Sequence, residues 1–183
     1  MYNLEDINFD FEHELIRIII VKDIPNIKLK SFSIGPFKSN QEIELMYWVA
    51  EELVKSGLAR YRDQDLLDMQ KLSKIHWRET IPTSRQVPSL PRNFYFMLRK
   101  FLKGINEERK RDPSKIMLYE KVLGLSKDII NCRVRKIISL AAISTDSRNI
   151  IENMAAEEIA LYNRLGALIT NWKENLIKIG DES

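Results

Sequence analysis

Two amphipathic helical patterns in tandem, Asn93–Arg109 and Lys115–Ile143, constrain the fold of this chain more than any other stretch of it. In the first, Phe94, Met97, Leu98, Phe101, Leu102 and Ile105 recur at intervals of three and four. That spacing lays one apolar stripe along a helix of about 3.6 residues per turn. In the second, Ile130, Val134, Ile137 and Ala141 repeat the stripe, while Lys127, Arg133, Arg135 and Lys136 lie largely off it. Arg111-Asp112-Pro113 divides the two, since proline cannot continue a helix that precedes it. A chain built on such a pair is mostly helical, and its central stretch carries a basic flank rather than a catalytic constellation.

Upstream the period is two. Phe9 and Phe11 are spaced to share one face of an extended segment. Leu15–Val21 is short and β-branched, which predicts a strand. Asp23-Ile24-Pro25-Asn26 is turn chemistry, and Ile27–Ile34 then alternates apolar and polar strictly, the pattern of a half-buried antiparallel strand. Gly35-Pro36-Phe37 closes this small sheet. From Ser39 onward the expected period is helical. Ser39 or Asn40 serves as cap, Glu42 and Glu44 suit the first turn, Ile43, Met46, Val49, Ala50 and Leu53 form the stripe, and Gly57 stops it. Asp63–Glu79 predicts a further helix whose face holds Leu66, Leu67, Gln70, Ser73 and Trp77. An extended, proline-rich connector from Ile81 to Pro91 leads into the central helices. Ser144-Thr145-Asp146-Ser147 offers caps for a last helix over about 148–178, with Ala155, Ile159, Tyr162, Leu165, Ile169, Trp172 and Leu176 as its stripe. The predicted fold class is α+β and mostly α: a small antiparallel β module over 1–38, then a helical bundle domain over 39–183.

Charge is unevenly spread. Residues 1–14 carry five acids and no Lys or Arg, whereas residues 85–136 carry fourteen Lys and Arg against five Asp and Glu. Such asymmetry suits an acidic or nucleic-acid partner, or simply a solvated helix surface. The single Cys132 excludes an internal disulfide framework and fits a reducing compartment. Ile16–Val21 is too short to cross a bilayer, so the expectation is a cytoplasmic chain without membrane contact.

A search for chemistry returns negatives. His13 and His76 lie in different elements with no second ligand at zinc spacing, and the phosphate-binding, nucleophile-elbow and zinc-protease motifs are absent. Glu51-Glu52 and Glu157-Glu158 are adjacent, so their side chains diverge by about 100° on a helix. The expectation is a protein that is not an enzyme and takes neither metal nor cofactor. The basic residues have two readings. Arg109, Lys110 and Arg111 end a helix, where cations are stabilised by its dipole. Arg133 and Lys136 share a face and pair either with phosphates or with acids of a neighbouring helix, the ion pair being the better reading.

Three segments carry a family likeness. The first is Ile34-Gly35-Pro36-Phe37 followed by Ile43 to Leu53 and Gly57-Leu58-Ala59. Here Met46-Tyr47-Trp48-Val49-Ala50 stands where the family often has Pro-Leu-Trp-Leu-Ala, so Trp and Ala are kept and Pro is lost. The second is Leu90-Pro91-Arg92-Asn93-Phe94-Tyr95, and the third is Arg133-Val134-Arg135-Lys136-Ile137-Ile138-Ser139-Leu140-Ala141. Together they resemble the GINS family of replication proteins, in the archaeal subtype with the β domain before the helical domain. That subtype is the counterpart of the second and third eukaryotic partner subunits.

The resemblance implies a non-catalytic subunit of a hetero-tetramer formed with a paralogue whose helical domain comes first. It further implies a scaffold that bridges the MCM helicase and a RecJ-like partner, in an archaeal cell and associated with the nucleoid. Candidate interface or core anchors are Trp48, Phe94, Tyr95, Phe101, Arg133, Lys136, Tyr162 and Trp172; exposed-looking aromatics also include Tyr47 and Trp77. Candidate partner- or DNA-facing residues are Arg109, Lys110, Arg111, Lys127 and Arg135. Two rival functions stay open: a free-standing basic helical protein that binds nucleic acid, and an unrelated helical dimerisation module.

Overall fold

The structure is a computed structural model that describes residues 9, 11–28, 33–81, 87–91, 93–143 and 151–177. The described residues up to Leu66 form one compact unit, and those from Leu67 onward form another. The division falls well after the expected boundary at Lys38/Ser39, because the chain beyond Ser39 gives the first unit two more strands and a helix.

In that unit β1 (Leu15–Ile20) is the middle strand of a three-stranded antiparallel sheet. It is flanked by β4 (Glu42–Met46) and β5 (Ala59–Tyr61). Ile18 and Ile20 point into a core with Ile24, Ile34, Leu53 and Ala59, and α1 (Tyr47–Lys55) covers it with Val49 and Ala50. The segment Ile27–Ile34 is not one strand. β2 (Ile27–Lys28) pairs antiparallel with β3 (Ser33–Ile34), setting Ile27 opposite Ile34. The predicted helix start at Ser39 is likewise overturned. Glu42-Ile43-Glu44-Leu45-Met46 alternates with period two and extends along β1, so the helix begins only at Tyr47. Phe9 and Phe11 sit in a helical turn, with Phe11 buried against Tyr47 and Phe9 exposed, so they do not share a face.

Gly57 ends α1 as expected. Its φ is +69°, Gly57 N–H reaches the Val54 carbonyl at 3.0 Å, and Leu58 N–H reaches the Leu53 carbonyl at 2.9 Å. This is the paired hydrogen bonding of a Schellman stop, which requires a left-handed residue at that position.

The second unit holds α2 (Met69–Thr80), α3 (Phe94–Arg111), α4 (Ile116–Ile143) and α5 (Ala156–Ile177). The helix expected over Asp63–Glu79 is interrupted. Asp63–Asp65 makes a separate turn of 3-10 helix, Leu66 is extended, and the Asp68 carboxylate caps α2 by accepting from Lys71 N–H at 2.8 Å. The buried face of α2 is Leu72, Ile75 and Glu79, whereas Leu66 and Gln70 are exposed and Trp77 is 67% exposed. Asp112 and Pro113 form the tight link between α3 and α4, with Asp112 accepting from Ser114 N–H at 3.0 Å.

Leu67, Leu72, Ile75, Phe94, Leu98, Ile105, Val122 and Ile129 make the main buried cluster of this unit. A smaller one joins Val87, Ile137 and Met154, with Ile159, Tyr162 and Leu165 half-buried against it. The buried row of α4 is Val122, Ser126, Ile129, Arg133, Ile137 and Ala141. Ile137 and Ala141 lie where the stripe predicted, Ile130 is exposed, and Arg133 stands inside the row instead of off it. α5 starts later than expected, and its predicted caps at 144–147 lie outside the described residues, as do 82–86 of the connector. No described helix is long and apolar enough to cross a membrane.

Candidate functional site

The chemistry of the helical unit converges on one buried arginine. Arg133 has no exposed surface, which is admissible for a guanidinium only if its charge and all its N–H groups are answered. They are. Nη1 donates to Glu79 Oε1 at 2.7 Å and to the Pro88 carbonyl at 2.7 Å. Nη2 donates to Glu158 Oε2 at 2.6 Å and to the Asn153 carbonyl at 3.4 Å, and Nε donates to Glu158 Oε1. Every donor of the planar fork has an acceptor, and Glu158 is held in the bidentate geometry that arginine favours over lysine.

The acids are shared. Lys136, one turn along α4, donates to Glu79 Oε2 at 2.9 Å. Tyr95 on α3 donates its hydroxyl to Glu158 Oε1 at 2.5 Å, and Ala155 N–H donates to Glu158 Oε2 at 2.9 Å. Two cations thus face two carboxylates, and Glu79 and Glu158 are nearly as buried as the arginine. Burial works against the Arg133 charge, but Glu158 and then Glu79 outweigh it, so the guanidinium is held more firmly protonated than usual. Burial, followed by the neighbouring Glu158 carboxylate, raises the Tyr95 hydroxyl far above the ordinary tyrosine range, so it stays a donor.

Each member arrives by helical phase. Glu79 follows Leu72 and Ile75 on the inner face of α2, and Arg133 follows Ser126 and Ile129 on that of α4. Tyr95 sits at the start of α3, whose first residue Phe94 is completely buried. Chemically the node is closed: its donors and acceptors saturate one another. What it does is fix the phases of α2, α3, α4 and α5 and the chain at Pro88 in one arrangement.

Tyr95, Arg133 and Lys136 are among the residues the sequence singles out, whereas Glu79 and Glu158 are not. A usable signal was present. Glu79 and Arg133 each stand in the buried apolar row of their own helix, α2 and α4, and carry opposite signs there.

The other candidates scatter. Phe94 is core, Phe101 is half-buried in the main cluster, and Tyr162 is half-buried in the smaller one. Trp48 is partly exposed, Trp172 is 61% exposed, and Tyr47, expected at the surface, is core. Arg109 lies 4.1 Å above the Tyr119 ring and donates to Asn106 Oδ1 at 2.7 Å. Lys110 pairs with Glu107 at 2.7 Å, and that hydrogen bond holds the Glu107 carboxyl below its usual range. Arg111, Lys127 and Arg135 are exposed. His76 Nε2 lies 3.4 Å from Asp128 Oδ2. Among the described residues no three His, Cys, Asp or Glu are gathered as a metal ion would require.

Comparison with known proteins matches residues 66–177 to the GINS complex protein helical bundle domain. This range begins at the division between the two units and runs to the end of α5. The chain is also 25% identical over 142 residues to the human DNA replication complex GINS protein PSF2, covering 78% of this chain and 70% of the human one. The matched domain takes in all four helices that meet at Arg133, and the chain belongs to the GINS family of complex subunits.

Proposed function

We propose that the chain is a scaffolding subunit of a GINS assembly in chromosomal DNA replication. It pairs with a paralogue whose helical domain comes first, in a hetero-tetramer of the archaeal kind, and the assembly bridges the MCM helicase to a RecJ-like partner at the nucleoid. Family membership makes the subunit a non-catalytic structural component. The observation that carries the reading is the far end of α5. Leu168, Trp172 and Leu176, one turn apart, are each more than half exposed, as is Ile143 at the end of α4. Large apolar side chains left in water at helical spacing are the anchors that a permanent complex covers. The closed polar node supports the same reading, since its donors and acceptors are spent on joining the helices of the bundle.

The nucleic-acid alternative is weaker on residue grounds. Arg133 and Lys136 are engaged inside the bundle, so of the candidate basic residues Lys110, Arg111, Lys127 and Arg135 are the exposed ones, Lys110 while paired with Glu107. Co-expression with the GINS-like paralogue, followed by multi-angle light scattering, separates the readings. The expected result is one discrete hetero-tetrameric mass. A monomer or homodimer that ignores the paralogue, with tight salt-dependent DNA binding, would establish the alternative instead.

A further inference from the structure

The last helix is fastened to its domain differently from the other three. α2 and α4 contribute two buried apolar side chains each to the main cluster, and α3 contributes three. Along the 22 residues of α5 the one fully buried residue is Glu158. Its apolar side chains Ile159, Leu161, Tyr162 and Leu165 are only half-buried, and beyond Ile169 every described residue is exposed. The buried anchor of this helix is therefore a carboxylate, and its principal attachment is ionic.

We propose that α5 is a strap, locked onto α4 by the Glu158–Arg133 clasp, which opens and closes as a unit while α2, α3 and α4 stay folded. Apolar burial sets how firmly a segment is held, so the segment with least of it opens first. The distribution of partners makes the open state accessible. When Glu158 leaves, Arg133 keeps Glu79 and the Pro88 carbonyl, and Glu79 keeps Lys136. Arg133 and Lys136 then share the Glu79 carboxylate, the N–H groups of Arg133 that Glu158 held turn to the water that opening admits, and Glu158 passes into water as a surface carboxylate. Opening uncovers Ile137 and Leu140 on α4, a second apolar face in addition to the one α5 already shows. A ligand that binds either state shifts the strap toward that state, which makes the clasp a control point for what the helical unit exposes.

Hydrogen exchange on the isolated full chain, read by mass spectrometry across low denaturant concentrations, tests this directly. Amides of residues 160–177 are expected to exchange at least tenfold faster than those of residues 98–109, with a weaker dependence on denaturant. In Glu158→Gln the new amide sets donors against Arg133 and Ala155 N–H. Protection of α5 should then fall by a further factor of roughly a hundred, while that of α3 changes less than tenfold. Exchange of α5 and α3 through one common opening in the wild-type chain would overturn the proposal. So would a Glu158→Gln variant that loses protection equally in both helices, or in neither. If the variant does not fold, the wild-type denaturant series decides alone.

Discussion

Tyr95 shows what one hydroxyl does in a saturated node. It donates to a carboxylate oxygen that also accepts from Arg133, so removing it leaves Glu158 with fewer donors but leaves its charge paired. Tyr95→Phe is expected to cost about 2 kcal/mol, the range for a hydrogen bond to a charged group, measurable by urea unfolding. The cost should also depend on pH. The folded-state hydroxyl titrates far above its ordinary value of 10.0, owing to burial and then to Glu158, so the unfolded chain loses the proton first. Stability from this group is complete below about pH 10 and falls as pH rises beyond it. The gap between wild type and Tyr95→Phe should be flat from pH 7 to 9 and narrow above pH 10. A gap that widens there would contradict the hydrogen-bond assignment.

At the scale of elements, what could be read in advance was whatever local sequence decides. The two central helices, the strand at Leu15 and the stop at Gly57 follow from periodicity and one glycine, and they form as expected. Glu42–Met46 illustrates the opposite case. Its two glutamates and its position just after Ser39 suit a helix start, yet pairing with β1 decides it, and that partner lies more than twenty residues away. Ile27–Ile34 fails for a related reason, because strict alternation cannot reveal that the segment pairs with itself. Arg133 reads as lying off the stripe because it is polar, although its phase sets it between Ile129 and Ile137 in the buried row. Its acids come from other helices, so only their joint pattern would have disclosed the node. Gly57 permits a clean test of the local kind. A Cβ there would meet nothing within 4 Å, so Gly57→Ala isolates the backbone cost of a left-handed residue. The expected loss is about 1 kcal/mol, and Gly57→Asn should lose less, since asparagine visits that region readily. A larger loss for Asn than for Ala would refute the assignment of φ as the cause.

For the whole molecule, two matters depend on where the chain divides and on what it leaves exposed. Since β4, α1 and β5 complete the core around Ile18 and Ile20, a fragment of residues 1–38 should be unfolded by circular dichroism. Residues 1–66 should retain a cooperative transition. Folding of the shorter piece would mean that β1 does not need its two flanking strands. The second matter concerns assembly, and it requires a change that a core mutation cannot imitate. Trp172 is 61% exposed, so replacing it removes little that the folded chain itself buries. Trp172→Ser should therefore shift the unfolding free energy of the isolated chain by no more than about 0.5 kcal/mol, as surface changes usually do. If the tryptophan anchors a partner subunit, the same change should weaken the hetero-complex by about 2 kcal/mol or more, roughly thirtyfold in dissociation constant. Unfolding of the chain and titration with the paralogue, run on one preparation, separate the two effects. Unchanged stability with unchanged affinity would move the interface off the end of α5. Loss of both would show that Trp172 supports the fold of this helix, and the exposed row would no longer be a reason to expect a partner there.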